Sequence, residues 1–375
     1  MKVAMIGLRG LGDGLGGVEK AVKEVSTRLV KQGVDVTCYC RPKYNTDSDY
    51  EGVSLVNTKT LYSKHGETAF YALGSMLKAS KEDYDVIHIH AMASSLLAWI
   101  PKLMSKYNPK IVVTIHGLDW QRAKWGFIAR NILKLAEKVA LRYSNGIICV
   151  SLSLFGYFQM RYLNGTFHYV PNGCDSVGDK ALAPLEDFAK DDYFLYLGRL
   201  VPEKGCDRLI QAFKALETTK KLVIAGPESH ASDFNKKIHE MAKGDKRIHF
   251  TGPVYGEDKN RLMANAFLFI LPSEIEGLPI AVLEACSYKT CPAVSSIPTA
   301  IEVLGNSQMA RGFTFQARSV EQLKTVMETA EEAPEIVEAL AEEAQKYVLA
   351  NYNWDHVARE THNVYKSVLR GDHNG

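Results

Sequence analysis

The sequence has no CxxC pair and no Cys/His run at metal-ligand spacing, although seven cysteines are scattered along its 375 residues. An odd count without such spacing reads as reduced, mostly buried thiols, neither a disulfide framework nor a zinc site. Cys38 and Cys40 alternate along an apolar run and read as core packing. No uninterrupted apolar stretch approaches the roughly 20 residues that span a bilayer. The start, Met1-Lys2-Val3-Ala4-Met5-Ile6-Gly7, is too short for a secretory signal and runs directly into glycine-rich sequence. Low-complexity tracts and residue-level repeats are absent too, so an ordinary globular chain is expected.

Charge of one sign is lacking overall, with a formal net charge of only +2. The halves differ, however. Residues 1–180 hold 23 Lys and Arg against 15 Asp and Glu, and the remainder holds 22 against 28. A basic first half can meet nucleic acid, an anionic membrane surface or phosphorylated ligands. No nucleic-acid-binding module is recognisable among the basic residues, so no nucleic-acid partner is expected.

Short apolar runs alternate with helix-length stretches along the chain. Strands are expected at 2–7, 34–40, 53–57, 85–89, 110–116, 146–150 and 167–170, then at 193–197, 220–225, 247–251, 267–271 and 291–295. This rhythm means α/β architecture with parallel sheets and crossover helices. With 46% hydrophobic residues, a chain of this length divides into two domains by default. Pro171, Asn172, Gly173, Gly178 and Pro184 mark 171–191 as the linker. The expected domains are therefore 1–175 and 190–350, followed by a last helix from about 354 to 370.

The first strand leads into Gly7-Leu8-Arg9-Gly10-Leu11-Gly12-Asp13-Gly14-Leu15-Gly16-Gly17-Val18-Glu19. Glycines let backbone N–H groups approach a phosphate, and a following helix N-terminus favours negative charge. Gly12, Gly14 and Gly17 spell GxGxxG, which admits a dinucleotide site. Against it, the triplet lies several residues past the strand, and the second strand ends in Cys40-Arg41 with no acid for a ribose 2′-OH. Arg41 could meet the 2′-phosphate of NADP instead, so an NADP-dependent oxidoreductase stays open. So does a loop without any ligand.

In the second half, Gly198-Arg199-Leu200-Val201-Pro202-Glu203-Lys204-Gly205 follows a strand and opens a helix. Two cations there can neutralise a diphosphate leaving group, or simply sit in solvent. Further on, Pro272-Ser273-Glu274-Ile275-Glu276-Gly277-Leu278-Pro279-Ile280-Ala281 leads into Val282-Leu283-Glu284-Ala285. Pro279 fits the first helical position, which leaves the N–H groups of Ile280 and Ala281 facing the sheet mouth. Glu276 and Glu284 can accept from sugar and ribose hydroxyls, and Glu284 can equally complement a helix dipole. His116 ends an apolar strand and reads equally as a satisfied core residue. His88 and His90 share a strand face but lack a third metal ligand.

Residues 125–143 form an amphipathic helix. Trp125, Ile128, Ile132, Leu135, Val139 and Tyr143 make its apolar stripe, beside Arg130, Lys134, Lys138 and Arg142. Such a helix can rest on anionic lipid. As a crossover helix it would instead bury the stripe against the sheet.

Together, Gly16-Gly17-Val18-Glu19, His116-Gly117, Gly198 to Gly205, Phe250-Thr251-Gly252-Pro253-Val254 and the Glu276/Glu284 pair resemble glycosyltransferase family 4 over nearly the whole chain. The resemblance implies a GT-B fold, two Rossmann-like domains facing across a cleft. It implies a retaining, metal-independent transferase without a cofactor, using a nucleotide-sugar donor and a glycan or lipid-linked acceptor. Carried onto this sequence, Arg199 and Lys204 hold the diphosphate, Glu276 the donor sugar and Glu284 the ribose. Ile280 and Ala281 meet the phosphates through their backbone, Val254 lies near the base, Gly16 and Gly17 close over the donor, and His116 stands by the reacting carbon. The last helix crosses back to the first domain. The opening loop with Arg9, and residues 116–122, resemble a bacterial polysaccharide-assembly branch with rhamnosyltransferase-like members, placed in the cytoplasm or on the inner face of the plasma membrane. The chain departs from the family pattern at Cys286-Ser287-Tyr288-Lys289-Thr290-Cys291-Pro292, which lacks a glycine, and at Ile297 to Glu302. A nucleotide-sugar epimerase on the same fold is a further alternative. Specificity is expected in loops 9–16, 58–66 and 117–124.

Overall fold

The computed structural model describes residues 1–12, 14–60, 66–122, 125–177, 182–228, 232–305 and 310–371. Asp13, 61–65 and 123–124 of the expected specificity loops, and Gly178 of the expected linker, lie outside the described residues. The chain forms two compact units. One holds Met1–Asn172 and the residues from Trp354 onward, and the other holds Gly173–Asn353.

The first unit is built on β1 (Lys2–Ile6), β2 (Asp35–Cys40), β3 (Asp49–Tyr50), β4 (Val53–Asn57), β5 (Val86–His90), β6 (Lys110–Ile115), β7 (Gly146–Cys149) and β8 (Phe167–Tyr169). Their order is β3-β4-β2-β1-β5-β6-β7-β8. Every pairing is parallel except β3 with β4. Val3 to Ile6 and all of β5 are buried, as continuous apolar strands covered on both faces must be. The helices are α1 (Gly17–Lys31), α2 (Glu67–Ala79), α3 (Met92–Ser95), α4 (Trp99–Met104), α5 (Phe127–Tyr143) and α6 (Leu152–Arg161).

The second unit holds β9 (Tyr193–Leu197), β10 (Lys221–Ala225), β11 (Ile248–Gly252), β12 (Leu268–Leu271), β13 (Pro292–Ser295) and β14 (Phe313–Phe315). Their order is β11-β10-β9-β12-β13-β14, all parallel. Its helices are α7 (Cys206–Lys214), α8 (Ser232–Ala242), α9 (Gly256–Ala264), α10 (Ile280–Ser287), α11 (Pro298–Leu304), α12 (Val320–Glu332) and α13 (Pro334–Asn351). Phe194, Ile210, Phe213 and Met327 pack in its core.

The chain then enters α14 (Trp354–Arg370), which packs on α1 of the first unit. Trp354 is buried there, Asp355 pairs with Arg28 at 2.9 Å, and the Tyr365 hydroxyl meets His88 Nδ1 at 2.6 Å. All seven cysteines are free and buried.

Two details differ from the sequence expectation. β3 and β14 carry no sequence signal, because two or three residues show no periodicity. α5 is the crossover between parallel β6 and β7, but the expected burial of its apolar stripe is corrected. α5 buries Leu133, Ala136, Glu137 and Ala140, while Ile128, Ile132 and Leu135 of the expected inward stripe are exposed.

Candidate functional site

In the second unit the connections from β9 and β12 leave in opposite directions along the sheet, so the crevice at their carboxyl ends is the topological switch point. Both sequence clusters fall there. After β9 the chain turns through Pro202–Lys204 and Gly205, then enters α7. Gly205 has φ +72, and a Cβ on it would lie 2.3 Å from the Pro272 carbonyl oxygen. The β9 turn is thus pressed against the first residue after β12, and only glycine fits the contact. The Glu274 N–H donates to the Glu203 carbonyl at 2.9 Å, which ties the two loops together.

Lys204 Nζ stands 2.5 Å from Glu276 Oε1, with the two side chains 19% and 10% exposed. The sequence treats these residues as separate contacts, whereas the structure joins them. Glu274 accepts from Arg208 at 2.9 Å and Arg318 at 2.6 Å, so it braces the loop. Arg199 projects its side chain to the surface. Its carbonyl accepts from the Tyr196 hydroxyl at 3.0 Å, and burial raises that phenol well above its usual pKa. Ser295 Oγ donates to the Ser273 carbonyl.

Pro279 is the cap of α10, with φ −74 and ψ 100, and Ile280 is the first helical residue. This moves the expected helix start by one residue. The Pro279 carbonyl accepts from Val282 and Leu283, so the N–H groups of Ile280 and Ala281 have no acceptor within the helix. Glu284, buried on α10, meets Lys259 of α9 at 2.7 Å. Lys259 carries no sequence signal, because a lysine on a polar helix looks like any solvated one. Val254 lies half-buried just before α9.

The first unit has its own switch point, between β1 and β5. Gly7 follows β1 with φ +110, and a Cβ there would lie 1.7 Å from the His90 carbonyl oxygen. The N–H groups of Gly7 and Leu8 donate to the Tyr71 hydroxyl, which donates to the Tyr39 carbonyl at 2.7 Å. Arg9 pairs with Glu19 at 2.8 Å. Gly16 caps α1 and Gly17 begins it.

The dinucleotide reading fails on this geometry. β1 ends at Ile6 and α1 begins at Gly17, so Gly12 and Gly14 do not form a tight strand-to-helix turn. Arg41 is buried against Glu67 at 2.9 Å and under the Tyr71 ring at 4.8 Å, which withdraws the cation that NADP would need.

His116 follows β6, with Nε2 3.2 Å from His90 Nδ1. The sequence carries no sign of a His90–His116 contact, since nothing but the fold brings the two together. Burial lowers His116 to about 4, opposed by the Glu19 carboxylate. Burial and neighbouring His116 lower His88 to about 3. His90 is lowered well below its usual value by burial, then by His88 and His116. All three rings are therefore neutral near pH 7. His88 is saturated by Tyr365 and by Thr114, each at 2.6 Å. Among the described residues, buried His90 Nε2 has no hydrogen-bond partner. A bare acceptor is easier to bury than a bare N–H. The proton between the rings is thus assigned to His90 Nδ1, so that His116 accepts at Nε2 and presents an Nδ1–H.

These histidines make stability depend on acid. Unfolded histidines titrate near 6.5, so between about 6.5 and 4 the unfolded chain binds protons that the folded one refuses. Stability is then complete above that window and falls as pH drops through it, by roughly 3 kcal/mol for His116 alone. Urea midpoints should be lower at pH 5 than at pH 7, and less so in His88→Gln. Equal midpoints for the unsubstituted protein would contradict the neutral assignment.

The family Glycosyl transferases group 1 matches residues 179–347, and Glycosyltransferase Family 4 matches residues 15–176. An uncharacterized glycosyltransferase of Methanocaldococcus jannaschii is 30% identical over 177 residues, which is 47% of this chain and 45% of that protein. The α-maltose-1-phosphate synthase of Mycolicibacterium smegmatis is 22% identical over 98% of this chain and all of its own length. Among solved structures, sucrose-phosphate synthase from Thermosynechococcus elongatus has TM-score 0.84 at 18% identity, covering 99% of this chain and 100% of that one. The Anabaena protein HepE, solved with UDP-glucose, has TM-score 0.80 at 17% identity, covering 98% and 100%. At such identities the likeness to the solved structures is one of fold, the GT-B fold of two parallel-sheet α/β domains.

Proposed function

Since the chain belongs to the glycosyltransferases, its second half to the group 1 family and its first half to family 4, we propose that it moves a hexose-type sugar from a nucleoside diphosphate onto a glycan or lipid-linked acceptor, with retention at the anomeric carbon, in cell-surface polysaccharide synthesis. The observation that carries the reading is the Lys204–Glu276 pair at the switch point of the second unit. It sets a cation beside a hydroxyl acceptor, the acceptor on the loop that leads into α10.

In this reading Arg199 and Lys204 balance the charge that develops on the leaving diphosphate, and the N–H groups of Ile280 and Ala281 add to it. Glu276 accepts from donor-sugar hydroxyls and Glu284 from the ribose, with Lys259 orienting Glu284 and Val254 near the base. The acceptor hydroxyl attacks the anomeric carbon on the face the diphosphate leaves. The bond to the diphosphate oxygen breaks with its electron pair, and that oxygen takes the acceptor's proton. Catalysis is then positioning plus charge stabilisation, which requires neither cofactor nor metal. His116 offers its Nδ1–H to a sugar oxygen, and Gly16 and Gly17 serve the donor. The enzyme would work in the cytoplasm or peripherally on the inner face of the plasma membrane, which helix 125–143 would meet. Among the described residues no helix is long and apolar enough to cross a membrane.

Thermal unfolding with UDP, GDP, dTDP, ADP and NADP tests this. A ligand at about 100 times its dissociation constant adds roughly 2.7 kcal/mol. One nucleoside diphosphate should raise the melting temperature, and Lys204→Ala should abolish the rise. Stabilisation by NADP alone would overturn the reading.

A further inference from the structure

Among the residues that α5 buries is one carboxylate, Glu137, whose side chain is only 4% exposed. A buried charge is tolerated only when its lone pairs are met, and here three donors meet them. The Trp120 indole N–H donates to Oε2 at 3.0 Å. The hydroxyls of Tyr157 and Tyr162 donate to Oε1 at 3.1 and 2.7 Å. Arg161 Nε donates to the Tyr162 hydroxyl at 3.1 Å and lies 3.9 Å from Glu137, so a cation closes the cluster. Burial, then the Glu137 carboxylate, raises both phenols, which therefore keep the protons they donate.

The donors come from two places. Tyr157 lies on α6 and Tyr162 caps its end. A tie between α5 and α6 is complete with those two. Trp120 comes instead from the loop after β6, four residues beyond His116. The loop is drawn into a single turn, Asp119–Gln121, in which the Gln121 N–H donates to the Leu118 carbonyl at 2.9 Å. Asp119 pairs with Arg122 at 3.2 Å, on either side of Trp120 in the chain. Lys134 of α5 sets its ammonium over the indole ring, 5.1 Å from the centroid. Lys134 and Glu137 are three positions apart and so share one side of the helix. The indole is thus fixed at its N–H edge and from above, yet it stays half-buried, with Gln121 exposed beside it.

A rigid aromatic surface with polar side chains at its rim has the chemistry that takes a sugar. One face of a pyranose ring carries polarised C–H groups, which the negative face of an aromatic ring attracts. The hydroxyls around it need donors and acceptors, and Asp119, Gln121 and Arg122 supply both. We infer that Trp120 is the platform on which an acceptor sugar ring rests, and that Glu137 is the positioning residue that holds the platform in place. The word acceptor rests on the transferase reading, whereas the sugar surface itself does not. Because the loop begins at His116, a ring seated on Trp120 would lie at the same end of the first sheet as the expected reacting carbon.

Saturation-transfer NMR with the methyl glycosides of glucose, galactose, rhamnose and N-acetylglucosamine tests the inference. At least one should bind, with saturation strongest at the C–H protons of one ring face. Trp120→Leu should weaken that binding about tenfold. Glu137→Gln leaves one acceptor oxygen for three donors. It should weaken binding several-fold and raise acrylamide quenching of the Trp120 emission, taken as the difference from Trp120→Leu. Both variants should keep the nucleoside diphosphate response in thermal unfolding, which separates a lost platform from misfolding. The unsubstituted protein gives a reading that no variant need fold for. Of its four indole N–H signals, the one missing in Trp120→Leu should exchange slowly with solvent. Rapid exchange there, or a Glu137→Gln variant that is only less stable, with quenching and binding unchanged, would overturn the positioning role. No glycoside binding, or equal binding in Trp120→Leu, would overturn the platform. Glycoside binding that depends on Trp120, in a protein that no nucleoside diphosphate stabilises, would sink the transferase reading and leave the sugar surface standing.

Discussion

Lys204→Ala is expected to lower turnover by about two to three orders of magnitude while the protein remains folded. Removing one preorganised group that stabilises developing charge typically costs that much. The residue is well placed for so large an effect. It is one of two cations in the turn after β9, and it is held at 2.5 Å by Glu276 instead of sampling solvent. Glu276→Ala should cost a similar factor, since it removes both the expected sugar contact and the group that orients Lys204. The two losses should not add, because each substitution already dissolves the pair. Glu276→Gln keeps an acceptor but no charge, and should fall between. Initial rates for the unsubstituted protein, the three single variants and the Lys204→Ala/Glu276→Ala double variant, with melting temperatures alongside, make the check. Near-normal turnover in a well-folded Lys204→Ala would remove the residue from the chemistry.

The second large effect concerns stability. Gly7→Ala should destabilise the first unit by about 4 kcal/mol or more, in the range reserved for clashes and strained backbones. The added Cβ would lie 1.7 Å from the His90 carbonyl oxygen, and neither backbone can retreat without parting β1 from β5. Gly33→Ala is the control. Gly33 also has a positive φ, +80, but has open space around its position, so conformational strain alone should cost it about 1 kcal/mol. Urea unfolding of both variants measures the difference. Similar losses in the two would mean that the β1–β5 approach is looser than the geometry states.

Much of this architecture can be read in the chain because parallel strands buried on both faces are nearly continuous apolar runs. β5 and β6 stand within a residue or so of where such runs place them. The partnerships at the site are another matter. Lys204 and Glu276 are 72 positions apart, and only the strand order that seats β9 beside β12 brings them together. The Lys259–Glu284 and His90–His116 contacts are hidden for the same reason. α5 shows a subtler limit. Its periodicity was visible, but a hydrophobic pattern weights large side chains. The face that packs is made largely of small ones, Ala136 and Ala140, which let α3 approach closely. Large residues were thereby left outside, the reverse of what their hydrophobicity suggests.

The return of α14 has a consequence for how the molecule is made. The first unit is discontinuous, because it needs Trp354, Asp355 and Tyr365 to complete it. On a ribosome, domains ordinarily fold in the order they emerge. Here the segment made first must wait, with the outer surface of α1 and the His88 pocket uncovered, until the second unit has been synthesised. The later-born unit can mature earlier, and closing the first across so long an intervening segment becomes the late step of biogenesis.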